Sequence, residues 1–262
     1  ERAKATTPAV LSEVEVPPGS RFYISKADIL AYFFQLRAPR WAVAWFGMPR
    51  VSLSLLKRAG LQVWEILRAM RGTSVNFPDL EKGYVIPCHE ALPMGYRHSP
   101  CMAQETHKEM IYEFTGLGDE NMMYDTEPVP DVDDKAVAIC DDFFVFTKSE
   151  ERGVELMDRL CAGYDSVGLE RHPSKFRVSA DVAECVGLDI YGEGKILPTS
   201  KRMSLLLRAT IELCCRYLVS AHVCSKVVGH WTWLVLLWRP GLSILQEVYP
   251  YAQSNSRSPT YF

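Results

Sequence analysis

The chain lacks the features that most quickly fix a class. Its eight cysteines (Cys88, Cys101, Cys140, Cys161, Cys185, Cys214, Cys215, Cys224) include no CxxC pair. Their scatter speaks for free thiols in a reducing compartment rather than a disulfide framework. The expected location is therefore intracellular, in nucleus or cytoplasm. No signal peptide opens the chain. The longest apolar run, residues 231–238 interrupted only by Thr232, is too short to cross a bilayer, so no membrane partner is expected. Excess positive charge is missing too: 29 Lys and Arg stand against 32 Asp and Glu, a net charge of −3. Nucleic-acid-binding domains are often basic, so this balance counts against such a partner. It does not exclude one, because acidic metal ligands cancel basic clusters elsewhere. Asp131, Asp133 and Asp134 lack the glycine and terminal glutamate of a calcium loop. His98, Cys101 and His107 have no fourth ligand at a zinc-like spacing and read as hydrogen-bonded loop and helix residues. The chain opens at Glu1 rather than Met, which suggests a fragment.

What is present is a globular composition: 262 residues, 48% hydrophobic and 11% aromatic. That is enough for one large core or two small domains. The organising stretch is Ala138-Ile139-Cys140-Asp141-Asp142-Phe143-Phe144-Val145-Phe146. An apolar run enters two adjacent carboxylates and an aromatic, β-favouring run leaves them, so the spacing predicts strand, sharp turn, strand. Two neighbouring carboxylates at a buried hairpin tip are costly unless compensated. A divalent cation would compensate them, and hard oxygen donors suit Mg²⁺ or Mn²⁺. The plainer reading is a solvated acidic turn. A third carboxylate, Asp28, ends the β-prone run Phe22-Tyr23-Ile24-Ser25-Lys26-Ala27 and is followed by aromatics including Phe33. Read alone, Asp28 is a helix N-cap and Phe33 a core residue. If Asp28 lies beside Asp141, the shared volume needs a cation and forms a clamp that positions phosphates and activates a hydroxyl.

Residues 1–20 read as an N-terminal connection and residues 21–194 as a sheet domain. Within it, residues 51–71 have helical periodicity broken at Gly60, with Arg50, Lys57, Arg58, Arg68 and Arg71 as a solvated face or a phosphate-contacting patch. Residues 82–91 read as a strand. A Pro/Gly loop carrying Met94 and Gly95 leads to a helix over 101–114 that starts near Ser99 and includes Gln104. Residues 116–135 form an acidic excursion, expected to be solvated. Residues 150–167 are amphipathic, with Val154, Met157, Leu160, Cys161 and Tyr164 as the apolar stripe; 186–190 is a short strand. Residues 195–252 read as a helical region with helices over 204–218 and 222–248, the latter interrupted at Pro240-Gly241, and 253–262 as a flexible tail. The plan is α+β: helices cover one face of a mostly antiparallel sheet, and carboxylates from separate strands share the other. That arrangement fits a polymerase palm. Phosphoryl transfer to a nucleotide needs two metals roughly 3.5–4 Å apart, held by carboxylates on adjacent strand ends.

These blocks resemble, in order, those of the reverse transcriptases of retroelements. Ala27-Asp28-Ile29-Leu30-Ala31-Tyr32-Phe33 looks like the first palm motif, Leu92-Pro93-Met94-Gly95 through Gln104 like the template- and nucleotide-contacting loop and helix, and Ile139-Cys140-Asp141-Asp142 like the catalytic hairpin. Gly168-Leu169 with Pro173-Ser174-Lys175-Phe176 resembles the following block, and Val186-Gly187-Leu188 the primer-grip turn. The region from Val228-Gly229-His230 to Val248-Tyr249 is similar to the post-palm connection of dinoflagellate and other protist retroelement-like proteins. The resemblance implies a palm followed by a thumb-like connection and RNA-directed DNA polymerase activity. It implies Asp28, Asp141 and Asp142 as Mg²⁺ or Mn²⁺ ligands, and Lys175 acting on the leaving pyrophosphate. Phe33 would exclude a 2′-hydroxyl, and Met94, Gly95 and Gln104 would contact the nucleotide. Partners would be an RNA or DNA template with primer, and dNTP. The sequence departs from the pattern at Cys140, where many relatives carry Met or Val, and at Met94, where several carry Gln. Little precedes Ser25 and no RNase H signature follows, so fingers and RNase H are expected elsewhere in a longer chain. The competing expectation is a domesticated, catalytically silent scaffold within a protein assembly.

Overall fold

The runs flanking the paired aspartates fold as a hairpin, and the remaining elements are arranged about it. The computed structural model describes residues 4, 6–69, 83–125, 127–254 and 260–261. It begins with helix α1 (Pro8–Leu11), strand β1 (Tyr23–Asp28) and the short helices α2 (Tyr32–Gln35) and α3 (Arg40–Val43). Strand β2 (Val51–Ser52), helices α4 (Leu53–Arg58) and α5 (Val63–Ala69), strand β3 (Tyr84–Val85) and the long helix α6 (Ser99–Thr115) follow. Next come the hairpin strands β4 (Lys135–Ile139) and β5 (Asp142–Thr147), helix α7 (Glu150–Ser166) and strand β6 (Arg177–Ala180). Strands β7 (Val182–Cys185), β8 (Leu188–Tyr191) and β9 (Ile196–Pro198) precede helix α8 (Ser200–Cys214). The chain continues through strand β10 (Leu218–Val219), helices α9 (Ala221–Val235) and α10 (Tyr249–Gln253), and strand β11 (Thr260–Tyr261). The class is α+β. No helix among the described residues is long and apolar enough to cross a membrane.

The chain divides into two units, residues 1–30 with 104–262, and residues 31–103. The first unit carries a sheet of order β4-β5-β1-β6, with β1 antiparallel to β5 and to β6, and a second sheet of order β7-β8-β9. The hairpin strand β5 is buried from Phe143 to Thr147, which is why its aromatic run does not alternate with polar residues. Phe144 and Phe146 join Ile24, Cys185, Leu188, Leu206 and Leu234 in the main core. On the other face α7 approaches so closely that a methyl group at Gly153 would lie 2.3 Å from Ser179 Oγ. Any larger residue there would push the helix off the sheet.

Several sequence expectations change in this unit. The segment read as a connection contains α1, with Ala9, Val10 and Leu11 buried. The excursion 116–135 is half core: Met122, Met123 and Tyr124 are buried, and Tyr124 Oη donates to Asp119 at 2.7 Å. Its acidic composition hid three apolar side chains in a row. Along α7 Val154 is exposed while Leu156 is fully buried. Val186 and Gly187 form the turn between β7 and β8 rather than strand. Helix α8 starts at Ser200, where Thr199 caps it by accepting from Arg202 N–H. The last helical region ends its first helix at Val235 and kinks at Trp238.

The second unit is the smaller, and its described residues bury Tyr32, Ala38, Ala42, Leu53, Ile66, Leu92 and Ala103. Gly60, at φ 95°, separates α4 from α5, as the broken periodicity predicts. Leu53 and Ile66 form its buried cluster, and β2 pairs with β3. Arg50, Lys57, Arg58 and Arg68 are exposed. Arg71 of the same basic set and Lys82, expected to open a strand, lie outside the described residues.

Candidate catalytic site

Pairing of β1 with β5 sets Asp28 opposite Asp142. Side-chain alternation then puts Lys26, Asp28, Asp142 and Phe144 on one face. Asp28 is 3% exposed, and its Oδ2 accepts a hydrogen bond from Lys175 Nζ at 2.8 Å. The Asp142 carboxyl is in hydrogen-bond reach of the Asp28 carboxyl, while its Oδ1 is buried without a hydrogen-bond partner. Lys26 Nζ stands 3.4 Å from that oxygen, near enough for charge attraction but out of hydrogen-bond geometry. Lys26 also donates to the Glu184 carbonyl at 3.1 Å. Asp141 occupies the turn, and its carbonyl accepts from Ile29 N–H at 3.1 Å. His172 N–H donates to the Asp28 carbonyl at 2.8 Å, so the block carrying Lys175 is tied to the end of β1 by backbone. Beside it an open groove of about 740 Å³ is lined by Leu30, Glu170, Arg171, His172 and Phe176 among others.

The electrostatics follow from burial. Desolvation pushes the Asp142 carboxyl up to about 6; Lys26 opposes the rise and Asp28 adds to it. Asp141 is raised too, again chiefly by burial. The hydrogen bond to Asp28 raises Lys175. Neighbouring carboxyl groups favour a shared proton or a nearby cation, and Lys26 and Lys175 supply positive charge here.

A clamp from helix α6 shapes the turn. Cys140 adopts φ 50°, a left-handed conformation that costs a non-glycine residue about 1–3 kcal/mol. Gln104 holds both sides of it: Cys140 N–H donates to Gln104 Oε1 at 2.7 Å, and Gln104 Nε2 donates to the Ala138 carbonyl at 2.7 Å. One turn along α6, His107 Nδ1 bonds the Cys140 carbonyl and Nε2 bonds Tyr164 Oη. A carbonyl only accepts, so the neutral imidazole carries its proton on Nδ1 and the tyrosine donates to Nε2. Burial lowers His107 to about 4, so the ring is neutral near pH 7.

The structure thus brings Asp28, Asp142 and Lys175 together, with Asp141 in the adjoining turn, where its carboxyl feels the Asp28 charge. Gln104, expected to contact nucleotide, instead uses both ends of its amide on the hairpin backbone and is buried. Phe33, Met94 and Gly95 belong to the second unit. Phe33 is half-buried with its ring edge-on to Tyr32. Met94 is exposed, and a methyl group at Gly95 would meet nothing within 4 Å. No packing among the described residues therefore demands glycine there. The sequence reading missed Lys26, which the two-residue period places on the face of Asp28, and the pairing of His107 with Tyr164, which no local pattern reveals.

Among the described residues no group of three or more His, Cys, Asp or Glu side chains is arranged to hold a metal. The donor chemistry nevertheless fits a hard cation: all oxygen, two carboxyl groups in mutual reach, and one buried oxygen that accepts no hydrogen bond.

No protein-family model matches the chain, and no curated protein matches it. Solved structures do. The foamy viral protease-reverse transcriptase in complex with RNA/DNA hybrid matches 99% of this chain and 27% of its own, at TM-score 0.59 and 10% identity. The same foamy viral protein in complex with dsDNA matches 100% of this chain and 42% of its own, at TM-score 0.59 and 10% identity. A dRH form with ds DNA gives 100%, 36%, 0.58 and 10%. These three are viral, and the protist resemblance has no counterpart among them. The chain spans 27% to 42% of the length of these neighbours, and it has a reverse-transcriptase-like fold.

Proposed function

We propose that the chain is the palm and following helical part of an RNA-directed DNA polymerase of retroelement origin, acting on a primed RNA or DNA template with dNTP. The observation that carries this reading is the pairing of the buried Asp28 with the half-buried Asp142 at the tip of the β4–β5 hairpin, where Asp142 Oδ1 accepts no hydrogen bond and has Lys26 Nζ at 3.4 Å. Two carboxyl groups held together in a partly buried site carry a desolvation cost that a bound cation would offset. The neighbours were solved with RNA/DNA hybrid and dsDNA, which supports a nucleic-acid partner of the same kind.

Asp28, Asp141 and Asp142 would hold Mg²⁺ or Mn²⁺, which when bound lowers the pKa of the attacking hydroxyl and offsets phosphate charge. Gln104 and His107 keep the hairpin tip in its left-handed turn, so the carboxylates need little reorganisation. Lys175 sits on Asp28 and carries a proton on Nζ. From that position it serves as the cation nearest the strand end and as a proton donor to the leaving pyrophosphate. The groove beside it falls in the size range of small-molecule sites and suits the nucleotide. Phe33 excludes a 2′-hydroxyl, and the open space at Gly95 admits the nascent pair.

A catalytically silent scaffold has one observation in its favour: Lys175 already neutralises Asp28. Primer extension separates the two readings. The full chain, with any upstream region it naturally carries, should extend an annealed primer only with Mg²⁺ or Mn²⁺. D28N and D141N should each slow extension at least about a thousandfold, on the order of 4 kcal/mol. Extension by both variants at the unaltered rate would end the polymerase mechanism.

A further inference from the structure

Two ammonium groups reach the carboxylate pair, and they are held differently. Lys175 lies between α7 and β6, and its side chain is 50% exposed. Its Nζ donates to Asp28 Oδ2 at 2.8 Å. An ion pair with one partner this exposed is screened by water and opens at little cost. Lys26 has no such freedom. It sits within β1, two residues before Asp28 and on the same face, and its side chain is 12% exposed. Nζ donates to the Glu184 carbonyl of β7 at 3.1 Å and lies 4.9 Å from the Phe144 ring centroid. Strand, carbonyl and ring together fix where that charge stands. It stands 3.4 Å from Asp142 Oδ1, the oxygen that accepts no hydrogen bond.

The consequence is electrostatic. A charge in a partly buried site is poorly screened and acts strongly on its neighbours. Burial raises the Asp142 and Asp141 carboxyls, and Lys26 opposes the rise in both. Its ammonium thus favours their ionised forms with no metal present. The same charge works against a metal. A divalent ion drawn to Asp142 gains the attraction of the carboxylate and meets the repulsion of the ammonium. Lys175 can swing into water to make room. Lys26 would have to give up the Glu184 carbonyl and the Phe144 ring.

We propose that Lys26 is a built-in counter-cation: it holds the Asp142 carboxylate in place without a metal, and by the same charge it sets how weakly the carboxylates bind Mg²⁺ or Mn²⁺. Lys26 is a positioning residue in this role and touches no reacting atom. The proposal rests on the cation-site reading above for the metal, but not for the pairing of Lys26 with Asp142.

Two measurements test it, neither of them activity. The first is Mn²⁺ titration of the full chain without nucleotide, read by electron paramagnetic resonance at about pH 8, where carboxyl groups are ionised. K26Q removes the charge and keeps a donor for the Glu184 carbonyl. It should tighten Mn²⁺ binding at least about tenfold, and K26M should tighten it as well. K26R, which keeps the charge, should stay within about twofold of the unaltered protein. A lysine that only supports the fold would give the opposite sign, because loosening the site weakens binding. The second measurement is the thermal midpoint in EDTA. K26M should lower it more in the unaltered protein than in D142N, since the pairing exists only when both partners are present. Unchanged or weaker Mn²⁺ binding by folded K26Q would overturn the effect on the metal. Equal losses from K26M in the two backgrounds would overturn the pairing. If neither the unaltered protein nor K26Q binds Mn²⁺, the cation-site reading fails and takes the effect on the metal with it, while the midpoints still decide the pairing.

Discussion

The two units treat charge and aromatic rings in opposite ways. Residues 31–103 hold nine of the 29 Lys and Arg but only four of the 32 Asp and Glu, which leaves the rest of the chain with 20 against 28. The smaller unit also exposes Trp41 and Trp45, at 63% and 69%, with their rings 5.4 Å apart. The larger unit buries Phe22, Tyr124, Phe143, Phe144, Phe146 and Tyr164, leaves Tyr217 and Trp238 exposed, and holds Asp28, Lys26 and His107 within that interior. A net charge near zero thus conceals a basic unit and an acidic one. Whole-chain charge averages the two units and describes neither. Charge set in a packed, hydrogen-bonded interior does chemistry, whereas charge on a loosely packed surface acts at a distance and yields to salt.

Stability measurements should separate the units most sharply. L156A in α7 removes a fully buried side chain and should cost about 2–5 kcal/mol in urea unfolding. W41A, at an exposed ring, should stay within about 0.5 kcal/mol. Comparable losses would mean that the second unit carries a core of its own at Trp41. Next in size is Q104L, which strands Cys140 N–H and the Ala138 carbonyl. A loss of about 1–3 kcal/mol is expected, with slower primer extension; a neutral Q104L would remove the clamp.

F33V moves the comparison to the second unit. If the ring excludes the 2′-hydroxyl, the variant should admit ribonucleotides at least tenfold better relative to deoxynucleotides, about 1.4 kcal/mol of discrimination. An unchanged ratio of kcat/KM in a folded, active variant would make Phe33 an ordinary packing residue.

The smallest effect is a pH dependence with two opposed parts. Asp142 rises from 3.8 to about 6 on folding, so the fold binds the extra proton and loses stability as pH climbs through that window. His107 falls from 6.5 to about 4. There the unfolded chain binds the extra proton, and stability grows as pH climbs from about 4 to 6.5. In metal-free buffer the two slopes offset. D142N should leave stability rising with pH, and H107Q should leave it falling. Thermal midpoints between pH 4 and 7 would show both, and parallel profiles for the two variants would contradict the assignment.

Much of the fold was legible because its signals were local. The hairpin followed from apolar runs around Asp141 and Asp142, the end of β1 from Asp28, and the break between α4 and α5 from Gly60. The excursion at 116–135 was misread because acidic neighbours outweighed Met122, Met123 and Tyr124, whose burial depends on the distant β4 strand. The site divided in the same way. Its carboxylates were visible as residue types. The supports were not, because Gln104 and His107 reach Cys140 across 36 and 33 residues, and Lys26 reaches Glu184 across 158. Only the alternation of β1 offered a hint, since Lys26 and Asp28 share a face.

The most direct test of the account is cation binding at the carboxylates themselves, read by electron paramagnetic resonance of Mn²⁺ and independent of turnover. With primer–template and a non-reactive dNTP analogue present, the unaltered protein should bind two Mn²⁺ ions, displaced by excess Mg²⁺. D28N should bind fewer, and Q104L should bind the same number more weakly. Equal Mn²⁺ binding by the unaltered protein and D28N would contradict the claim that Asp28 and the hairpin aspartates form a cation site.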